Sequence, residues 1–263
     1  MNRIDRKFNH LKEKNEKAFI AFITAGDPDA ETTVDLVLAM EKAGADIIEL
    51  GIPYSDPVAD GVVIQESSIR ALNRGIKIKD IMNVVKEIRK QSSIPLLYLV
   101  YYNCIFRYGI EKFLQECKQS GIDGLIIPDL PIEEKGEIAE LAYKNGIDII
   151  PMVAPTSEER VKKILQYGEG FVYCVSTEGV TGTRNEIATN LETYMNLINQ
   201  YSKIPKALGF GVSDCAMAKE FSKYGDGVIV GSAIIKKIAS SNSKEEVIEK
   251  VSNFVKELKE AIK

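Results

Sequence analysis

The sequence predicts an α/β fold, specifically a single (β/α)8 TIM barrel, and three observations carry this prediction. Eight apolar runs alternate with amphipathic stretches along the 263 residues. Each run is almost continuously apolar, which is typical of parallel strands covered by helices on both faces. The length is close to the roughly 250 residues that one such barrel needs. We therefore expect residues 1–263 to form one catalytic domain.

A doubly wound open sheet is the alternative fold. It typically carries a glycine-rich dinucleotide-binding turn, GxGxxG, directly after the first strand. Here the first apolar run is followed by Ala25-Gly26-Asp27-Pro28, which lacks that pattern. Right-handed crossovers between eight parallel strands instead close naturally into a barrel.

The elements follow one another regularly along the chain. The predicted strands cover residues 18–26, 46–52, 95–103, 124–129, 148–154, 171–176, 205–211 and 227–231. The helical patterns between them cover residues 32–42, 78–90, 110–119, 133–144, 158–166, 191–200, 214–224 and 244–262, and glycines expected to end helices are Gly44, Gly121, Gly146 and Gly168. We also expect an N-terminal extra helix, and an inserted helix at 62–72 in the long interval after the second strand. Insertions on βα loops are where barrels carry function.

Composition excludes several classes of function. A formal net charge of −4 disfavours nucleic acid or an anionic membrane as the main partner. The N-terminus lacks a charged region followed by an apolar run, and no run of about eighteen apolar residues occurs, so we expect a cytoplasmic protein. The four cysteines form no CxxC pair, which favours reduced thiols over disulfides or a zinc site.

His10 is the only histidine in the chain. A single histidine disfavours Ser-His-Asp and Cys-His catalysis, and it rules out a metal site built from several histidines. If the protein is an acid–base enzyme, carboxylates and tyrosines are therefore the expected proton carriers.

A carboxylate interrupts the second predicted strand, where Glu49 stands within Asp46-Ile-Ile-Glu-Leu-Gly51. A bare charge in an apolar strand costs several kcal/mol unless it is paired or protonated. Desolvation raises the pKa of such a group towards the range useful for proton transfer near pH 7. A glutamate that forms a salt bridge with a neighbour fits the position equally well.

Two aspartates follow on the next loop. Asp60 lies eleven residues after Glu49, and the two carboxylates can meet at the mouth of a barrel. Asp60 also suits the N-cap of the inserted helix, and Asp56 lies between the two. Spacing alone does not decide which acid matters.

Three glycine-bearing loops follow the sixth, seventh and eighth predicted strands. Glycines let a backbone approach a phosphate closely, and barrels often bind phosphate after the last two strands, at the N-terminus of a short helix. The loops are Thr181-Gly182, Gly209-Phe210-Gly211 and Gly231-Ser232-Ala233. Each of these glycines also suits an ordinary turn, and Lys236 and Lys237 beyond them suit an exposed helix face.

The segment Leu-Gly-Ile-Pro-Tyr-Ser-Asp-Pro-Val-Ala-Asp-Gly at 50–61 closely resembles the signature of the tryptophan synthase alpha subunit family. Further family motifs occur in the same order at 22–28, 179–182, 209–213 and 230–232, so the resemblance spans nearly the whole chain. It implies a lyase that cleaves indole-3-glycerol phosphate to indole and glyceraldehyde 3-phosphate in tryptophan biosynthesis. Glu49 and Asp60 occupy the positions of the family's two catalytic carboxylates.

The resemblance also implies the remaining parts of the site. Phe22, Tyr101 and Tyr173 would line the substrate pocket, although core packing is the commoner fate of strand aromatics. The glycine loops would hold the phosphate, and Thr181 would belong to a lid. No metal or cofactor is implied for this chain. Pyridoxal phosphate is expected only on a beta subunit, with which the chain would form an α2β2 complex.

Three alternatives to this function remain. Another phosphate-binding barrel, such as a sugar-phosphate isomerase or epimerase, would explain the glycine loops but not the full carboxylate signature. A stand-alone indole-releasing lyase would share every residue named above. A purely regulatory subunit would be expected to lack Glu49 or Asp60, and both are present.

Overall fold

A computed structural model describes residues 2–166, 168–175 and 184–263. Its strands are all parallel and form one sheet in the order β5-β4-β3-β2-β1-β9-β8-β7-β6. The strands are β1 Ala18–Thr24, β2 Ile47–Gly51, β3 Leu96–Leu99, β4 Gly124–Ile126, β5 Asp148–Ile149, β6 Met152–Val153, β7 Val172–Val175, β8 Lys206–Gly209 and β9 Gly227–Val230.

The sheet closes through its two outermost strands. Only Ile150 and Pro151 separate β5 from β6 along the chain. The Ile150 N–H donates to the Leu125 carbonyl of β4, and the Tyr173 N–H donates to the Pro151 carbonyl. The predicted strand 148–154 is therefore one strand position. It is interrupted at Pro151, because proline has no N–H to donate to a neighbouring strand. Eight strand positions around a closed sheet confirm the predicted barrel.

Helices surround the sheet, and most predicted helices are present with bounds shifted by a few residues. The helices are α1 Arg3–Glu13, α2 Ala30–Ala43, α3 Val62–Asn73, α4 Ile78–Arg89, α5 Tyr102–Tyr108, α6 Ile110–Ser120, α7 Gly136–Asn145, α8 Glu158–Leu165, α9 Arg184–Tyr201, α10 Cys215–Ser222, α11 Ser232–Ala239 and α12 Lys244–Ala261, with a 3-10 turn at Ile132–Glu134. In the part of the chain that is described, no helix is long and apolar enough to cross a membrane.

Two local predictions are wrong. The third strand was expected to run to residue 103, but it ends at Leu99 and the chain enters α5, whose Tyr102 N–H donates to the Asp129 carboxylate at 2.8 Å. A cap from another loop thus overrides the β propensity of this tyrosine-rich stretch. Gly168 does not take the left-handed conformation, whereas Gly44, Gly121 and Gly146 do, as predicted.

The alternation of side chains divides the core into two clusters. In β2, Ile48 and Leu50 belong to the outer cluster beneath the helices, whereas Ile47 belongs to the cluster inside the barrel. Because successive strand residues point to opposite faces, Glu49 points inward with Ile47. Period-2 geometry therefore aims the carboxylate of Glu49 into the barrel.

Helix α1 closes the N-terminal end of the barrel. Its buried residues Ile4, Phe8 and Leu11 follow helical spacing and join the inner cluster, and the Phe8 ring lies 5.6 Å from that of Phe171. A capping box between Asn2 and Asp5 begins the helix. With this end filled, the open end of the barrel is the one at the carboxyl ends of the strands.

Candidate active site

Glu49 is an unpaired carboxylate inside the barrel. Its residue surface is 0% exposed, and within the described part of the chain neither carboxylate oxygen has a hydrogen-bond partner. Burial raises the pKa of Glu49 from 4.5 to about 8. The salt-bridge alternative therefore finds no support among the described residues, and the group is positioned to carry a proton near neutral pH.

Phe22 and Tyr173 lie on the same inner face. Phe22 is in register with Glu49 across β1 and β2. A Cβ at Gly51 would lie 2.7 Å from Cζ of Phe22, and one at Gly209 would lie 2.7 Å from Cε1 of Tyr173. Glycine is needed at both positions because each aromatic ring packs directly against the backbone there.

Tyr173 interacts electrostatically with both predicted carboxylates. Burial is the first reason that the pKa of Tyr173 is raised well above its ordinary value, and the charges of Glu49 and Asp60 raise it further. These three side chains therefore act on one another at the same end of the barrel.

Asp60 lies on the loop between β2 and α3, and it does not cap the helix. Gly61 occupies the N-cap of α3 and no side chain completes a cap there. Burial raises the pKa of Asp60, while a hydrogen bond from the Tyr101 side chain lowers it. By contrast, Asp56 is exposed and accepts a hydrogen bond from its neighbour Ser55. The enclosed position favours Asp60 over Asp56 as the second working acid.

Tyr101 supports this loop. Its hydroxyl accepts the Ala59 N–H at 3.0 Å, beside Asp60, and its ring centroid lies 5.1 Å from that of Tyr54. Burial, then the charge of Asp60, raises the pKa of Tyr101. Tyr101, which was predicted to contact substrate, thus also holds the backbone of the residue before Asp60.

Two further contacts, which the sequence did not reveal, hold α3 after the loop. The Arg70 guanidinium donates to both oxygens of the buried Asp27 carboxylate, at 2.9 and 2.7 Å. The Thr24 and Ser67 hydroxyls are 2.5 Å apart and share a hydrogen bond. The Arg70 and Asp27 partners are 43 residues apart, so no local spacing could have indicated them.

A cavity of about 560 Å³ opens beside these groups. Its lining is apolar at one end and glycine-rich at the other, and none of the described residues that line it is acidic. The lining residues are Phe22, Ile64, Leu99, Tyr173, Gly209, Gly211, Val212, Ser213, Ile229, Gly231, Ser232, Ala233, Lys236, Lys237, Ser240 and Phe254. One cavity thus joins the predicted ring-binding aromatics to the predicted phosphate glycines.

The polar end of the cavity contains the start of α11. Gly231 takes the N-cap position and no side chain caps the first turn, which begins at Ser232. Uncapped N–H groups and the positive end of the helix dipole make such a terminus suitable for a phosphate. The short helix therefore follows the last strand at the place where barrels often bind phosphate.

Some predicted residues lie elsewhere. The Phe210 ring packs against Tyr194 and Phe221, at centroid distances of 6.1 and 5.7 Å, so only the backbone of Phe210 remains available to a phosphate. Thr181 and Gly182 lie outside the described residues. Among residues 2–166, 168–175 and 184–263, no group of three or more His, Cys, Asp or Glu side chains could hold a metal ion.

Comparison with known proteins agrees with this geometry. Residues 8–263 match the family model described as tryptophan synthase alpha chain. The tryptophan synthase alpha chain of Thermoanaerobacter sp. (strain X514) is 61% identical over the full length of both chains. That of Clostridium kluyveri (strain ATCC 8527) is 54% identical, again with full coverage of both.

Solved structures show the same fold. The tryptophan synthase alpha chain of Legionella pneumophila superposes with a TM-score of 0.91 at 35% identity, covering 100% of this chain and 97% of that one. A chain of the tryptophan synthase α2β2 complex of Pyrococcus furiosus superposes with a TM-score of 0.84 at 39% identity, covering 92% and 98%. Because the family model matches nearly the whole of this chain, the chain belongs to the tryptophan synthase alpha chain family.

Proposed function

We infer that this chain cleaves indole-3-glycerol phosphate to indole and glyceraldehyde 3-phosphate, as the alpha chain of a tryptophan synthase in tryptophan biosynthesis. Family membership across residues 8–263 supports the reaction. The single structural observation that carries it is Glu49, a fully buried carboxylate with no hydrogen-bond partner among the described residues, in register with Phe22 of the cavity lining. We also propose that residues 1–263 work as one domain.

Glu49 is proposed as the proton carrier. Cleavage requires a proton on C3 of the indole ring, which converts the ring into an indolenine with a positively charged nitrogen. The hydroxyl proton of the adjacent side-chain carbon must then leave as the carbon–carbon bond breaks and its electrons return to the ring. A carboxyl group with a pKa near 8 can give the first proton and accept the second near neutral pH.

Asp60 is proposed to stabilise the positive ring nitrogen. Its carboxylate would accept the indole N–H and oppose the charge that develops there. A hydrogen bond from the Tyr101 side chain favours the charged form of Asp60, which this role needs. Phe22 and Tyr173 line the apolar end of the cavity and are proposed to contact the indole and glycerol parts of the substrate.

The phosphate is proposed to bind at the glycine-rich end. Gly209, Gly211, Gly231 and Ser232 line the cavity there, and Phe210 would contribute through its backbone alone. Thr181 and Gly182 remain proposed contacts from the lid segment. General acid–base chemistry of this kind needs no cofactor, so we propose none for this chain.

The proposed partner is a tryptophan synthase beta chain in an α2β2 assembly, like the complex from Pyrococcus furiosus. That beta chain would carry the pyridoxal phosphate. It would consume the indole released by this chain.

The test is a coupled assay for glyceraldehyde 3-phosphate formed from indole-3-glycerol phosphate, run with and without a beta chain. We expect product from the wild-type chain and a loss of at least about 100-fold in turnover for Glu49→Gln and for Asp60→Asn. Asp56→Asn, which removes an exposed carboxylate of the same loop, serves as the matched control and should retain turnover.

No product in either condition would overturn the proposed reaction. Turnover without a beta chain that equals turnover with it would favour the stand-alone lyase. Near-normal cleavage by Glu49→Gln or Asp60→Asn would remove the role proposed for that residue alone.

A further inference from the structure

Two adjacent lysines on α11, Lys236 and Lys237, line the same cavity as the phosphate-end glycines. They follow Ser232 and Ala233 by four residues each, and residues four apart share a face of a helix. Because Ser232 and Ala233 also line the cavity, helical periodicity places both lysines along the cavity wall beyond the first turn.

Both lysines are exposed, and among the described residues neither has a carboxylate within ion-pair distance, unlike Lys244 and Lys250 near the same helix. The Lys237 ammonium lies 5.2 Å from the centre of the Phe254 ring, which also lines the cavity. A cation–π contact of this kind restrains an ammonium group without neutralising its charge.

The charge of the surroundings makes these two cations significant. The chain has a net charge of −4, which on average repels a phosphate dianion. A second cavity, of about 600 Å³, mixes Asp129 with Lys135 and Arg160. Among its described lining residues the first cavity has two lysines and no acidic side chain, so the formal charge of this lining is opposite in sign to the net charge of the molecule.

We propose that Lys236 and Lys237 are electrostatic binding residues for the substrate phosphate. They attract the dianion to the cavity and stabilise it there, while backbone N–H groups at the start of α11 direct its oxygen atoms. The inference rests on the proposed function for the identity of the substrate. Its recognition chemistry, a phosphate ester held by two ammonium groups, does not depend on the cleavage step.

The test compares Lys236→Met/Lys237→Met with the wild-type chain. Affinity is measured for glycerol 3-phosphate and for indole, and kcat/KM for indole-3-glycerol phosphate, at about 0.02 M and about 0.5 M ionic strength. At low ionic strength we expect the variant to bind glycerol 3-phosphate about 5- to 10-fold more weakly and to lose a similar factor in kcat/KM. At high ionic strength the difference in affinity between variant and wild type should fall below about 2-fold, because the Debye length shortens to a few ångströms.

Three controls separate charge at this site from other causes. Lys86→Met/Lys118→Met removes two exposed lysines outside this cavity and should change phosphate binding by less than about 2-fold at either ionic strength. Lys236→Arg/Lys237→Arg keeps both charges and should restore the lost affinity. Indole binding and turnover at saturating substrate should stay unchanged in all variants.

The proposal is overturned if the methionine variant binds glycerol 3-phosphate as tightly as wild type at low ionic strength. It is also overturned if the loss persists at high ionic strength, if the distant control loses as much, or if arginine fails to restore binding. The wild-type chain could bind glycerol 3-phosphate in this lysine-dependent way and yet cleave no indole-3-glycerol phosphate. That result would contradict the proposed function but not the role proposed for the two lysines.

Discussion

At the N-terminal end of the barrel, Asp46 and Asp123 are buried carboxylates with cationic partners, whereas Glu49, three residues after Asp46, has no partner among the described residues. Asp46 accepts hydrogen bonds from the Lys259 ammonium at 2.8 Å and the Phe19 N–H at 2.9 Å. Asp46 directly precedes β2 and Glu49 lies within it. The two carboxylates therefore differ in pairing although they are close in the chain, because Asp46 has a cationic partner and Glu49 has none among the described residues.

Asp123 shows how complete the pairing is at the closed end. It accepts hydrogen bonds from the Arg3 and Arg89 guanidinium groups at 2.8 and 2.9 Å, and from the Leu96 N–H at 2.9 Å. Nearby, burial raises the pKa of Asp148 to about 7, while a hydrogen bond from Asn2 opposes the shift. The carboxylates described at this end thus have hydrogen-bond partners on or next to helices α1, α4 and α12, whereas Glu49 has none among the described residues.

The largest expected effect is on the pH dependence of stability. Burial raises the pKa of Glu49 from 4.5 to about 8, so between these values the folded protein holds a proton that the unfolded chain has released. Its contribution to the unfolding free energy is full below pH 4.5 and is lost as the pH rises to about 8, a span of about 4 to 5 kcal/mol.

Glu49→Gln removes this titration. Urea unfolding of both proteins should therefore show the variant gaining about 4 kcal/mol relative to wild type between about pH 5 and pH 9. If the difference in unfolding free energy between the two proteins stays constant from about pH 5 to pH 9, Glu49 is not desolvated. The contrast between the paired Asp46 and Asp123 and the buried Glu49 would then be lost.

Breaking the pairing at the closed end should cost stability instead of activity. Asp123→Asn leaves the largely buried Arg89 without its counter-charge, and we expect a loss of about 3 kcal/mol in the free energy of unfolding. Urea denaturation measures the loss, with Asp56→Asn as an exposed control. Turnover of the folded enzyme should stay within about 2-fold of wild type, so a larger fall in turnover would contradict the division of roles.

Arg70→Met tests how far the mouth depends on ordinary ion pairs. The change leaves Asp27 buried and unpaired, and because the Arg70 side chain is 36% exposed we expect a smaller loss, about 2 kcal/mol. Turnover should fall about 10-fold, since α3 begins two residues after Asp60. Arg74→Met, at the end of the same helix, is the charge-matched control. Equal losses in both variants would show that the ion pair between Arg70 and Asp27 does not hold α3 in place.

The smallest effect is expected for Tyr101→Phe. Loss of the hydroxyl that holds Ala59 and donates to Asp60 should cost about 1 kcal/mol and lower turnover about 5-fold. Steady-state kinetics, with Tyr102→Phe as control, measures the change. A Tyr101→Phe enzyme with normal turnover would show that the loop needs no support from this side chain.

Much of the fold could be predicted because its signals are local. Continuous apolar runs located every strand position, and periodicity located α3, α4 and α6 within about a residue. Long-range contacts decided the exceptions. Asp129 begins α5 where a strand was expected, and the proline between β5 and β6 splits one strand position into two segments.

The site divides in the same way. An acid within an apolar strand marked Glu49 directly, whereas the choice of Asp60 over Asp56 came from resemblance and is now favoured by enclosure. Phe210 shows the limit of a motif, because its ring turns outward while its neighbouring glycines line the cavity. Similarly, the position of Tyr101 next to the loop emerged only when distant segments were brought together.

By itself, the sequence determined the alternation of strands and helices, the location of Glu49 within an apolar strand and the absence of a metal site built from several histidines. These depend on composition and on periods of two and 3.6 residues, which one short window of chain contains. Tertiary structure alone decided that Glu49 has no partner among the described residues while Asp46 has Lys259, 213 residues away. Pairing and desolvation depend on which distant side chains share a space, and no local pattern encodes that.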